Sequence, residues 1–167
     1  FTKPILEKIM FLKESGYIRV SLKNFDIIID VARIGPDYIP GHAHADTLSY
    51  EISLYKKRLI VNSGTSTYES GNLREWQRST LAHNTLEIDG LNSSKVWHSF
   101  RVGERAYPFD VIIFEKENKI IVKASHDGFN RTFKKLIHTR IWEIETKKID
   151  IIDSVAGEFR KGLSRTY

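Results

Sequence analysis

The stretch LSYEISLYKKRLIVN, residues 48–62, decides the fold. Apolar residues alternate with polar ones through Leu48, Tyr50, Ile52 and Leu54, and a second apolar run follows the charged segment Tyr55-Lys56-Lys57-Arg58. A strand sends alternate side chains to one face, so two such runs joined by a short charged connection predict an antiparallel hairpin. Outward from it the same signature recurs: YIRVSL and FDIIIDVA before it, then NTLEID, FRVGERAY, DVIIFE, KIIVKAS, TFKKLIHTRIWEIE and KIDIIDSV after it. These runs are rich in Ile, Val, Phe and Thr, and hairpin-length connections of Gly, Asn, Asp and Lys separate them. With no helical crossovers between strands, the expectation is an all-β, antiparallel sandwich or barrel.

Two segments break the pattern. Residues 1–14, FTKPILEKIMFLKE, space Ile5, Ile9, Met10 and Leu12 at helical intervals, which predicts a short N-terminal helix. Because the chain starts at Phe1, that helix reads as the tail of an upstream domain, and residues 15–167 as one β domain that is itself cut short at its C-terminus. Residues 62–84 form a long polar excursion, and such a loop inside a compact domain is usually functional or disordered. Within SHDGF, residues 125–129, Gly128 is expected to supply a positive φ and Asp127 to bond backbone, leaving His126 without chemistry.

Composition excludes more than it selects. There is no cysteine, so disulfides and thiolate metal sites are ruled out. No apolar run approaches the roughly 20 residues of a membrane span. Twenty-six Lys and Arg against 21 Asp and Glu leave a formal charge of +5, which suits an anionic polysaccharide, nucleic acid or membrane surface. The basic residues are scattered, so charge alone does not choose among these.

The chemistry concentrates in PGHAHAD, residues 40–46, just before the hairpin. If the strand begins there, His42, His44 and Asp46 share a face and lead into the core positions Leu48, Tyr50 and Ile52. Imidazoles paired with a carboxylate are a ligand set for zinc or iron. The hairpin returns Asn62 to the neighbourhood of residues 42–46, and His83 can close a site from a third strand.

GPDYIPGHAHADTLSYEISL, LIVNSGTSTYE, RSTLAHNTLEIDG, VWHSFRVGERA and SHDGF, taken in order, resemble the C-terminal β domain of the heparinase II/III-like polysaccharide lyases, a group that includes alginate lyases. The resemblance implies a bacterial, secreted or periplasmic enzyme in which a β-sandwich follows a helical (α/α) toroid. The enzyme cleaves uronic-acid polysaccharides by β-elimination between the two domains. Its partners are then an acidic polysaccharide and the upstream toroid, not nucleic acid. The family's main base and acid come from the toroid, so this chain alone is expected to be inert.

Carried over residue by residue, the resemblance puts His42 at the substrate cleft as a catalytic residue, with Tyr68, Arg74 and Arg78 bordering the cleft. Tyr68 joins the catalytic set, and Arg78 is the preferred contact for the uronate carboxylate, with Arg74 beside it. His44 and His83 match ligands of the family's Zn²⁺, and Asn62 falls where the third ligand is typically Asp. That exchange removes a negative charge and weakens zinc affinity, although an amide oxygen can still coordinate. Asp46 is expected to orient an imidazole of that centre by a hydrogen bond instead of binding the metal itself. Trp97 and Phe100 are expected to pack the sandwich edge.

Two rival readings stay open. A H-x-H with a later histidine also describes a cupin-like metalloenzyme, but the nearest glutamate, Glu51, has the wrong parity relative to His44. The domain could instead be a non-catalytic carbohydrate-binding or structural module.

Overall fold

The computed structural model describes residues 8–132 and 135–157, together with the backbone of 162–164. Strands β1 (Ile9–Leu12), β2 (Tyr17–Ser21), β3 (Phe25–Asp30), β4 (Tyr50–Leu54) and β5 (Lys57–Ile60) make one five-stranded antiparallel meander. A short helix α1 (Asn72–Arg78) and the short strands β6 (Leu86–Ile88), β7 (Val96–Trp97) and β8 (Arg101–Val102) follow. Strands β9 (Pro108–Lys116), β10 (Lys119–His126), β11 (Ile137–Glu145) and β12 (Lys148–Ala156) form a second antiparallel sheet in the order β12-β11-β10-β9. Strand β13 (Gly162–Ser164) pairs with β6.

The expected hairpin is present. β4 pairs with β5, and Tyr55 and Lys56 turn the chain with φ of 49° and 65°. Paired positive φ values mark a type I′ turn, whose twist matches that of the flanking strands. Glu117 and Asn118 repeat the device between β9 and β10, with φ of 52° and 67°.

The two sheets pack face to face. Ile18, Val20, Ile27, Ile29, Tyr50 and Ile52 from the first meet Ile120, Val122, Ala124, Trp142 and Ile144 from the second in one core. Each is inward by strand alternation, as in IHTRIWEIE, where every second residue of β11 is buried. A smaller cluster of Leu86, Ile88, Phe129 and Leu136 closes one end.

The helix expected over residues 1–14 is corrected where the chain is described. Ile9–Leu12 form β1, paired with β2 from Ile9 against Val20 to Leu12 against Tyr17, and residues 1–7 lie outside the described residues. Four residues at mixed spacing cannot hold a helix against an available sheet edge. The excursion 62–84 is also more ordered than a loop: it contains α1 and a 3₁₀ turn at Thr80–Ala82. Gly128 has no positive φ. An added Cβ there would stand 2.3 Å from the Ser93 carbonyl oxygen, so close backbone approach is what requires glycine. Asp127 does bond backbone, accepting from the Tyr107 amide at 2.9 Å.

Candidate functional site

Residues 42–49 are not a strand. Pro40–His42 make a single 3₁₀ turn, Ala43 is extended, and Leu48 adopts a φ of 63° before β4 begins at Tyr50. The alternation of HAHAD therefore does not put all three polar residues on one face. His42 is exposed at the turn, whereas His44 and Asp46 are half-buried and point toward His83.

What shapes this loop is a second segment, residues 78–85. The Arg78 guanidinium donates to the Ala43 carbonyl through Nε at 3.1 Å and Nη2 at 2.9 Å. Thr80 Oγ1 donates to the Ala45 carbonyl at 2.7 Å, and Thr85 Oγ1 to the Thr47 carbonyl at 2.7 Å. The Ala45 amide in turn donates to the Arg78 carbonyl at 2.9 Å. Alternate carbonyls of the loop are thus held by side chains of RSTLAHNT, which gives that motif a structural reason.

One ligand atom from each of His44, Asp46 and His83 lies within 4.8 Å of the others. His44 Nδ1 and His83 Nε2 are 3.2 Å apart. Two nitrogens each about 2.0–2.1 Å from one zinc ion at a tetrahedral angle stand at about that separation. Asn62 faces the other ring nitrogen of His83. Its Oδ1 accepts from the Gly64 amide at 3.0 Å and faces His83 Nδ1 at 3.1 Å. Because the Gly64 amide fixes Oδ1 as the acceptor, His83 carries its proton on Nδ1 and keeps the Nε2 lone pair for the centre. In this geometry Asp46, expected as a support, offers a donor atom beside those of His44 and His83, while Asn62, expected as a ligand, faces the outer nitrogen of His83.

Burial, and the nearby Arg74 and Arg78 charges, lower the His44 pKa to about 4. Burial, with His44 beside it, lowers that of His83 to about 3. Both imidazoles are neutral at pH 7 and have lone pairs to offer. Asp30, at the end of β3, was not expected from sequence; burial pushes its carboxyl up to about 7. Asp46 is raised by burial and by the Asp30 charge. Asp30, His44 and Asp46 share a cleft of about 630 Å³ with His42, Arg58 and Asn62.

Outside this centre, His42 stands edge-on to two rings, 5.6 Å from Tyr68 and 5.5 Å from Phe100. Tyr68 and Phe100 stack at 5.8 Å, and the Arg74 guanidinium lies 5.3 Å from the first ring and 5.8 Å from the second. Phe100 is 47% exposed, so its expected place in the packed edge is corrected. Arg74 is fully buried; it donates to the Ser99 carbonyl and Thr65 Oγ1, and its Nη2 has no partner.

Arg78 differs from its expected role. It is fully buried, and besides Ala43 it donates to the carbonyls of Trp97, His98 and Arg101, so its fork is occupied and it braces the loops rather than meeting a carboxylate. Among the described residues neither Arg74 nor Arg78 makes an ion pair. The buried Arg74 guanidinium, which makes no ion pair among the described residues and lies against the Tyr68 and Phe100 rings, favours an anion at the surface beside them.

The same shifts set the acid response of the chelator-treated protein. His44, His83, His126 and His138 all have folded pKa values below the usual 6.5, with burial the largest cause. The unfolded chain therefore takes up protons that the folded one refuses. Their stabilising contribution is complete above about pH 6.5 and is lost as pH falls toward the folded values. Asp30 and Asp46, raised in the fold, act in the opposite sense and offset part of this. Four histidines outweigh two carboxyls, so urea midpoints should fall from about pH 7 to about pH 5, by up to about 1.4 kcal/mol per pH unit for each net proton. A midpoint that rises on acidification would contradict the neutral buried imidazoles.

A family model described as Heparinase II/III-like, C-terminal, matches residues 5–163. Among solved structures, heparinase III is similar at a TM-score of 0.68 and 20% identity, over 89% of this chain and 22% of that one. A heparan sulfate lyase from Pedobacter heparinus is similar at 0.67 and 18% identity, over 93% of this chain and 23% of that one. Another heparinase III gene product gives 0.69 and 19% identity, over 92% and 23%. The chain spans less than a quarter of the length of these structures. At such identities the likeness is one of fold. Comparison with curated proteins gives no match.

Proposed function

The chain belongs to the heparinase II/III-like C-terminal family, and from that premise we propose that it is the β-sandwich part of a polysaccharide lyase acting on a uronic-acid polymer by β-elimination. The observation that carries the reading is the exposed His42 edge-on to the Tyr68 and Phe100 rings, against which lies the buried Arg74 guanidinium, without an ion pair among the described residues. β-Elimination needs a base for the C5 proton, neutralisation of the uronate carboxylate so that the carbanion is tolerable, and a proton for the departing O4.

His42 is placed to exchange a proton with the sugar or to hydrogen-bond its carboxylate. The Tyr68 hydroxyl is a second proton carrier on the same wall, and the Tyr68 and Phe100 rings offer apolar faces to a sugar. Arg74 supplies positive potential from below; its burial means that it acts as a field and not as a direct fork. These residues make one wall of a cleft, and the remaining acid and base are assigned to a helical domain elsewhere in the full-length chain. The isolated domain is accordingly inert. A polymer of this kind does not cross a membrane intact, so the proposal extends to a periplasmic or secreted location.

The proposal also takes zinc as the ion of the centre, held by His44 Nδ1, His83 Nε2 and the Asp46 carboxylate. The neutral imidazoles, their 3.2 Å separation and the Asn62 contact to the outer nitrogen of His83 support that fit. Zinc bound there supplies a cross-link between the two loops and positive charge beside the cleft.

The test is an elimination assay on the full-length chain, following the ultraviolet absorbance of the unsaturated product from alginate, heparan sulfate or a bacterial exopolysaccharide. Product is expected from at least one polymer, and none from any would overturn the lyase reading. Protein purified with zinc should lose it on His44→Ala; unchanged metal content would remove the metal assignment.

A further inference from the structure

At one end of the sandwich the interior stops being apolar. Inward positions of β10 run Ile120, Val122, Ala124 and then His126, and those of β11 run Ile144, Trp142 and then Arg140 and His138, all buried. Buried polar groups are tolerated only with partners, and here the partners form one directed chain. The Gly128 amide donates to His126 Nδ1 at 3.0 Å, which leaves the His126 proton on Nε2. That Nε2 donates to His138 Nδ1 at 2.9 Å, and His138 Nε2 donates to Asp153 Oδ1 at 2.6 Å. Asp153 also receives Arg140 through two prongs, Nε on Oδ1 at 2.7 Å and Nη2 on Oδ2 at 2.7 Å.

The third prong leaves the network. Arg140 Nη1 donates to the Leu48 carbonyl at 2.9 Å and to the Asn84 carbonyl at 2.6 Å. Leu48 stands two residues after Asp46, and Asn84 directly follows His83. A single nitrogen thus joins the two loops that bring the site's donors together. Leu48 has a φ of 63°, a conformation that a leucine keeps only where its surroundings impose it.

We propose that Arg140 is a positioning residue, aimed by the His126–His138–Asp153 relay, which sets the spacing between the His44–Asp46 loop and His83. An apolar side chain could fill the same volume, but it could not hold two carbonyls of separate loops. Lysine could not do so either, because a point charge cannot grip both Asp153 oxygens and still reach past them. The zinc arm of the test below rests on the metal reading given above; the clamp itself does not.

The test compares Arg140→Lys with Ile144→Ala, a buried change on the same strand at the apolar end of the core. Native-state hydrogen exchange reads the clamp through two amides: Ser49, bonded to the Asp46 carbonyl at 2.9 Å, and Thr85, bonded to the His83 carbonyl at 2.8 Å. In Arg140→Lys these two should lose at least about tenfold more protection than the amides of β2 and β3, whereas Ile144→Ala should not single them out. Zinc affinity, measured by competition with a chromophoric chelator, should fall about tenfold or more in Arg140→Lys and hold in Ile144→Ala. Protection of Ser49 and Thr85 that falls only in step with the sheet would overturn the proposal. If the wild-type protein takes up no zinc, the metal reading fails while the exchange comparison still decides the clamp. Should Arg140→Lys not fold, the paired change Arg140→Met with Asp153→Leu removes both charges together, and the same comparison applies.

Discussion

Changing His42 to alanine in the full-length chain is expected to lower kcat/KM for elimination by about 10²–10⁴-fold, the range a positioned proton-transfer group supplies. The expectation follows from where the turn at Pro40–His42 leaves the side chain: exposed and edge-on to the Tyr68 and Phe100 rings. An exposed residue outside the core costs little when truncated, so thermal stability should change by no more than about 0.5 kcal/mol. Metal content should also hold, since the proposed donors are His44, Asp46 and His83. Kinetics, melting and metal analysis on one preparation separate the outcomes. Unchanged kcat/KM would take His42 out of the cleft, and lost metal would put it in the centre.

The second large effect is on stability. Asp153→Asn should destabilise the fold by about 3–5 kcal/mol, because it leaves the buried Arg140 charge without a counter-ion. Asn also turns an amide group toward one of the donors of Arg140 and His138 that Asp153 now accepts. For a domain of this size that loss lowers Tm by roughly 10 °C. Removing Glu115 from its pair with Lys8 is the control. Those side chains are 51% and 45% exposed, and solvent screening leaves such a pair worth less than about 1 kcal/mol. Urea unfolding of the two variants side by side would expose an error, since similar small losses would mean that the Asp153 network is not formed.

The sandwich was legible because its evidence is local. Alternation and turn chemistry both point the same way in residues 48–62, and the turn at Tyr55 and Lys56 joins strands where expected. The pairing of His44 with His83 was legible through motif order. Local evidence misled where two patterns overlapped. Residues 9–12 carry helical spacing, but β2 offers an unpaired edge, and pairing with it wins. HAHAD reads as alternation, yet Pro40 and Gly41 start a turn, and Leu48 breaks the strand with its positive φ.

What sequence reading missed depends on contacts distant along the chain. Nothing local distinguishes Arg78, which braces carbonyls, from an arginine that meets substrate. Only the fold shows that its fork is full. That Asn62 turns its oxygen to the outer nitrogen of His83 depends on the Gly64 amide, which donates to the same oxygen. His138 and Arg140 did leave a signal: their parity in IHTRIWEIE is that of Trp142 and Ile144, which places two ionisable residues inside. Inward-facing charge within an otherwise apolar strand face is the pattern that would have found them.

The loop at 43–49 has one more consequence. Its alternate carbonyls rest on Arg78, Thr80 and Thr85, so the number of residues separating those three side chains works as a ruler for a loop more than thirty positions away. A single-residue insertion between Arg78 and Thr85 would put the pegs on its two sides one step out of register while leaving each residue type in place. For grafting or chimera building, the two segments are therefore one cassette. Moved together they carry these pegs but still need an arginine in the place of Arg140 beneath Leu48 and Asn84, and moved singly neither keeps its shape.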